Sequence, residues 1–269
     1  MSLPVWEVYA LRYATVARRR LEVFIHHDLH DGPQAMDYYV WLLRQGDDLV
    51  LVDTGFNAAS AAQRGRQFLR CPIESLERAG FARDAIRDVV ITHAHYDHAG
   101  NLDLLPAARF HLQEREMDYA TGRNMRHRVM RHAYCVDDVC SLVRLVYQDR
   151  VEYHDGDWQL RPGVSVHLVG GHTHGLQIVR VHTQRGWVVL ASDAAHYMEN
   201  LVERSPFPIV ADVGDMLSGH DLVERLADSP EHIVPGHDPM VLQRFARIGP
   251  PELDLVSLTA PPRSSGPVV

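Results

Sequence analysis

Val89-Val90-Ile91-Thr92-His93-Ala94-His95-Tyr96-Asp97-His98 is the stretch on which the fold turns. Its β-branched start, Val89 to Thr92, predicts a short strand, and that strand delivers four ligand-type side chains, His93, His95, Asp97 and His98, within six residues. Residues two apart on an α-helix point to nearly opposite sides, so His93 and His95 share an ion only from a loop. The loop then sits at the carboxyl end of a strand, where open α/β sheets build their sites. Imidazole and carboxylate without thiolate favour zinc, with iron, cobalt or manganese as other ions of the same ligand class. A single tetrahedral ion leaves some of these groups without a partner, so two divalent ions are the economical reading.

Further ligand-type residues follow other apolar runs. His172 lies in Val169-Gly170-Gly171-His172-Thr173, Asp193 follows Leu190-Ala191-Ser192, and His237 lies in Pro235-Gly236-His237-Asp238. Ligands at the ends of separate strands are what a site along one sheet edge requires, and the glycines permit tight turns there. Upstream, Met36 to Leu43 and Leu49 to Val52 flank the turn signal Gln45-Gly46-Asp47 and predict a hairpin ending at Asp53-Thr54-Gly55. Val5 to Tyr13 reads as an edge strand, Ala58 to Leu69 as one helix, and Ser75 to Ala79 as more of the helical layer. Gln113 to Tyr147 is helical in pattern and Arg-rich, with a break at Thr121-Gly122. Val164 to Val169, Gln177 to His182, Trp187 to Ala191 and His232 to Val234 return to strand character, with an amphipathic helix over Gly214 to Ala227.

Composition narrows the chemistry. The 269 residues are 46% hydrophobic and 23% charged, ordinary for one large globular domain. All 27 basic residues are Arg, so Schiff-base, pyridoxal-phosphate, Walker A and Ser-Lys chemistry lack their amine. A net charge of -8 argues against nucleic acid as a partner. Apolar runs are too short to span a bilayer and no secretory signal is visible, which makes the cytoplasm the default compartment. Cys71, Cys135 and Cys140 form neither a disulfide framework nor a zinc motif.

His93-x-His95-x-Asp97-His98, followed by His172, Asp193 and His237, resembles the metallo-β-lactamase superfamily, from about Met36 to His237. Leu51-Val52-Asp53-Thr54-Gly55 resembles the motif that family places ahead of its metal loop. The resemblance implies a four-layer αββα sandwich. It implies His93, His95 and His172 on one metal, Asp97, His98 and His237 on the other, Asp193 as the bridge and Asp53 as a group orienting the loop. No Cys replaces a ligand, as in many β-lactamases of this fold, and His95 is not the Glu of the diiron flavoproteins. Spacing and the bridging Asp193 are similar instead to the N-acyl-homoserine lactonases. The chain departs from them at His196, where they carry a Tyr near the substrate carbonyl, so His196 and the adjacent Tyr197 are the candidates for that role. It also departs at Gly170, His174 and Leu176.

The expected activity is a dinuclear lactonase in which the two ions lower the pKa of a shared water that opens the ring. Asp97 both ligates and relays a proton. A thioesterase of the glyoxalase II type, an amide hydrolase and a phosphodiesterase are the alternatives, with a small molecule as partner in each case; a metal-binding structural or sensor protein is the non-enzymatic one. Oligomeric state is left open, a homodimer being one arrangement. Residues 1–248 are read as one hydrolase domain with a helical Arg-rich insertion near 113–150, and 249–269 as a Pro/Ser-rich tail. Glu114 and Glu116 are read with their Arg neighbours as a solvated helical face. His26, His27 and His30 are read as solvated loop residues, and Trp41, Phe68 and Met36 as core.

Overall fold

A computed structural model describes residues 3–25 and 30–263; His26 and His27 lie outside the described residues. Strands β1 (Glu7–Arg19), β2 (Pro33–Gln45), β3 (Asp48–Val52), β4 (Gln67–Phe68), β5 (Ile86–Val90), β6 (Arg109–Gln113) and β7 (Val151–His154) begin the first sheet. The chain then forms the second sheet from β8 (Trp158–Arg161), β9 (Val164–Leu168), β10 (Gln177–Thr183), β11 (Gly186–Ser192) and β12 (Ile233–Pro235). It returns to the first with β13 (Ala246–Arg247) and β14 (Leu255–Ser257). The first sheet runs β13-β14-β1-β2-β3-β5-β6-β7 with β4 beside β1, and the second β12-β11-β10-β9-β8.

Alternation along the central strands explains the stacking. In β3, Val50 and Val52 enter a core shared with Val179, Val181, Val188 and Leu190 of the second sheet. Leu49 and Leu51 point the other way, into a cluster with Ala61, Ile73, Leu76 and Leu142. Those four belong to α1 (Ala58–Arg64), α2 (Pro72–Arg78) and, after α3 (Glu114–Thr121) and α4 (Arg128–Arg131), α5 (Val136–Val146). On the far side, Val189 and Ala191 of β11 meet Leu201 and Val223 of α6 (Met198–Val202) and α7 (Val213–Leu226). The period of two thus gives each sheet two buried faces, and the result is the αββα sandwich.

Several boundaries differ from the sequence reading. Ala58 to Leu69 is not one helix: Gly65 takes a φ of 63° and ends α1, and the chain enters β4. β1 is no edge strand, since it lies between β2 and β14. β7 and β8 are half-exposed four-residue strands without a clean apolar alternation, which is why they were not legible. The expected tail is corrected as well. Position 249 falls between two strands, β14 pairs with β1, and Leu253, Leu255, Val256 and Leu258 are buried. Pro250 and Pro251 lie in the turn between β13 and β14. No helix among the described residues is long and apolar enough to cross a membrane.

Removing a buried aliphatic side chain forfeits its transfer energy and leaves a cavity. Leu255→Ala is therefore predicted to cost about 2–5 kcal/mol in denaturant unfolding, whereas an unchanged midpoint would mean that the C-terminal strand is dispensable.

Candidate metal centre

Five strand ends meet at one edge of the sandwich. β3 leads into Asp53, β5 into the loop 93–98, β9 into His172, β11 into Asp193 and β12 into His237. The backbone bends hard there: Asp53 and Ser192 take φ values of 60° and 45°, conformations that cost of order 1–3 kcal/mol each and persist only where the surroundings over-determine them. A Cβ on Gly236 would lie 2.6 Å from the Ser192 carbonyl oxygen, so two ligand-bearing turns are pressed backbone to backbone.

Three ring nitrogens converge on the first centre. His172 Nε2 lies 3.2 Å from His93 Nε2 and 2.9 Å from His95 Nδ1, which is 3.0 Å from His93 Nε2. Burial, reinforced by the neighbouring imidazoles, holds the pKa of His93 and His95 well below the ordinary histidine value, so both are neutral and ligand-ready. On the second centre, Asp97 Oδ2 lies 3.8 Å from His98 Nε2 and 3.9 Å from His237 Nε2. Asp193 stands between the two. Its Oδ2 is 3.3 Å from His172 Nε2, and its Oδ1 is 3.3 Å from His98 Nε2 and 3.1 Å from His237 Nε2.

Whether cations fit follows from atoms that the protein leaves unused. His98 Nε2 and Asp193 Oδ1 are buried and have no hydrogen-bond partner, although they face one another. Buried polar atoms are rarely orphaned without reason. Burial alone would lower the His98 pKa, yet Asp53, Asp193 and Asp97 hold it well above the usual value. The pocket thus has carboxylates in need of positive charge, which divalent cations would supply in place of a proton on His98.

Outer contacts fix which nitrogen faces inward. His98 Nδ1 donates to Asp53 Oδ2 at 2.7 Å, His237 Nδ1 to the Asp37 carbonyl at 2.8 Å and His172 Nδ1 to the Ile209 carbonyl at 2.5 Å. Each turns Nε2 toward the cluster, where a cation would take the place of a proton. Asp53 also accepts from the Thr92 backbone N–H and hydroxyl, and the Thr92 hydroxyl reaches Ser192 of the opposite sheet at 2.8 Å.

Glu116 corrects the sequence reading: it is fully buried, not on a solvated face. Its carboxylate accepts from the Ala94 N–H, the Tyr134 hydroxyl, the Thr173 hydroxyl and the Gly175 N–H, joining the loop of His93 and His95 to that of His172. Nothing in its Arg-rich neighbourhood signals that position.

The cluster opens into a cavity of about 350 Å³ lined on its ligand side by His95, Asp97, His172, Asp193 and His237. His196 faces it, stacked on Phe207 at 3.3 Å between ring centroids. Burial pushes the His196 pKa down to about 3, so the ring is neutral, and its Nε2 lies 2.9 Å from Asp193 Oδ2. With the proton on Nε2 donating to Asp193, Nδ1 carries only a lone pair. Tyr197 does not line the cavity: its ring is in the core and its hydroxyl donates to the Ala35 carbonyl. Met36 is a wall residue, while Trp41 lies between the sheets and Phe68 packs on the helical side.

Groups that hold ligands in place typically alter metal affinity by 10–100-fold when lost. Asp53→Asn and Glu116→Ala are each expected to weaken metal binding by about that factor in chelator competition; unchanged affinity would make both contacts purely architectural.

The family model for the metallo-beta-lactamase superfamily matches residues 35–237. An N-acyl homoserine lactonase of Bacillus thuringiensis is 27% identical over 184 residues, 63% of this chain and 68% of that protein. A "Probable metallo-hydrolase" of Mycobacterium tuberculosis is 26% identical over 245 residues, 76% of this chain and 72% of the relative. Among solved structures, a quorum-quenching N-acyl homoserine lactone lactonase superposes with a TM-score of 0.73 at 22% identity, covering 89% of this chain and 95% of that one. A family match across both sheets, ending on His237, identifies the chain as a member of the metallo-beta-lactamase superfamily.

Proposed function

We propose that the protein is a two-metal lactonase that opens an N-acyl homoserine lactone or a related small lactone, with zinc as its ion. The observation that carries this reading is the Asp193 carboxylate, one oxygen turned toward each set of ligands, which is how a single carboxylate serves two cations. The name of the Bacillus thuringiensis relative supports ring opening over thioester, amide or phosphodiester cleavage. Zinc suits a site of imidazole and carboxylate.

Bound at this site, two divalent cations supply Lewis acidity toward a carbonyl and lower the pKa of water. His93, His95 and His172 would hold one, Asp97, His98 and His237 the other, with Asp193 shared. The protein's own residues do the remaining work. Asp97 lines the cavity, and its carboxylate takes the proton released as water adds to the carbonyl carbon and returns it to the departing alkoxide oxygen. His196 holds Asp193 in place through Nε2 rather than donating to the carbonyl. Met36, Val23, Phe207 and Ile209 form the apolar wall against which an acyl chain excludes water. Cys71, Cys135 and Cys140 lie outside the cavity lining, so no thiol nucleophile is involved.

On zinc-loaded enzyme, a pH-stat panel of lactones, thioesters, amides and phosphodiesters is expected to show lactone opening as the fastest reaction, abolished by chelation. Faster thioester or phosphodiester cleavage by orders of magnitude rejects the lactonase reading. Loss of the charge-assisted His196 contact is worth about 1.5–3 kcal/mol, so His196→Ala should lower kcat roughly 10–100-fold. The loss should be equal at pH 6 and pH 9, because a group with its pKa near 3 is neutral at both. A pH-dependent loss would assign the ring a proton-transfer role.

A further inference from the structure

We propose that the substrate carries a carboxylate on the arm leading away from the metal cluster, and that Arg66, with Arg64 beside it, recognises this group. The inference rests on the lactonase reading for the ring alone; the wall that carries it is separate from the ligands.

Among the described residues, three guanidinium groups line the cavity, those of Arg18, Arg64 and Arg66, and Glu22 is the only carboxylate in the lining besides Asp97 and Asp193. Glu22 is matched by Arg18 at 3.4 Å. Among the described residues Arg64 and Arg66 have no carboxylate at ion-pair distance, Asp138 and Asp97 acting on them only from further off, and each is held instead by neutral oxygens. Arg64 donates from Nη1 to the His132 carbonyl at 2.7 Å and from Nη2 to the Tyr134 carbonyl at 2.9 Å, with its guanidinium carbon 3.9 Å from the centre of the Tyr96 ring. Arg66 donates from Nε to the Tyr96 hydroxyl at 3.0 Å and from Nη1 to the Arg64 carbonyl at 2.8 Å. Its Nη2 has no protein acceptor among the described residues.

Local sequence explains the pairing. Gly65, in the left-handed conformation, ends α1 and turns the chain into β4, so that the side chains on either side of it both reach Tyr96. Tyr96 is locked in turn by its hydrogen bond to the Tyr38 hydroxyl at 3.2 Å, and it immediately precedes Asp97. Arg66 is thus a pre-oriented, half-buried cation beside the ligand loop, with donors to spare. A guanidinium cannot shed its charge, and a plain alkyl chain laid against it would leave those donors unpaired and partly desolvated. A carboxylate accepts them in a charge-assisted pair. Such a wall selects for an acidic arm and against a neutral one.

The test uses paired substrates of equal length on zinc-loaded enzyme: N-adipoyl- against N-hexanoyl-homoserine lactone, and adipoyl against hexanoyl thioester of N-acetylcysteamine. The acidic member of the cleaved pair is expected to have a kcat/KM higher by about tenfold or more, mainly through KM. Arg66→Gln should bring that ratio near one, and Arg66→Lys should leave it intermediate, with circular dichroism confirming that both variants fold. Equal kcat/KM within the cleaved pair, or an unchanged ratio in folded Arg66→Gln, overturns the proposal. If only the thioesters are cleaved and the acidic one is preferred, the lactonase reading falls while the Arg66 assignment stands. No turnover with any of the four overturns both.

Discussion

Carboxylates and imidazoles buried together at a sheet edge are the constraint on which the rest of this structure depends. Asp53, Asp97 and Asp193 sit among His93, His95, His98, His172, His196 and His237, nearly all removed from water. An ionised carboxylate in such a place is costly unless paired. The chain pairs Asp53 internally, with Thr92 and His98, and leaves an oxygen of Asp193 with no hydrogen bond. That asymmetry separates the group that supports the site from the group we propose to be shared by cations within it.

Holding those charges together requires two sheets, because neither supplies the full set. The first contributes Asp53 and the loop 93–98, and the second His172, Asp193 and His237. Contacts between the halves are therefore placed at the site itself. Thr92 reaches Ser192, Glu116 ties the Ala94 turn to Thr173 and Gly175, and the Gln177 N–H donates to the Thr92 carbonyl. Each fixes a loop whose ligands must meet those of another. The apolar core between the sheets, from Trp41 and Val52 to Val181 and Leu190, gives these contacts a rigid base.

Much of this was legible because it is written locally. The ligand loop announces itself through four side chains in six residues, and His172, Asp193 and His237 each follow an apolar run that becomes a strand end. β3, β10 and β11 were legible as strands from their apolar runs, whereas the sandwich itself was implied by the resemblance that the ligand pattern carries. What escaped depends on contacts distant in sequence. Glu116 is indistinguishable from its exposed neighbours until the fold brings it to Ala94 and Thr173. Tyr197 neighbours His196 in sequence, but successive residues at the start of a helix diverge, and only His196 reaches the cavity. β14 was hidden by prolines on either side, although its own apolar residues fill a gap beside β1. Arg64 and Arg66 acquire meaning only through Tyr96, thirty positions on from the second of them.

The proposed position of Asp193, between two cations, can be observed. Anomalous diffraction at the zinc edge, on crystals of zinc-loaded protein, measures this directly. Two peaks are predicted, one within reach of His93, His95 and His172 and the other within reach of Asp97, His98 and His237, with an Asp193 oxygen on each. A single peak, or two peaks that do not share Asp193, would contradict it.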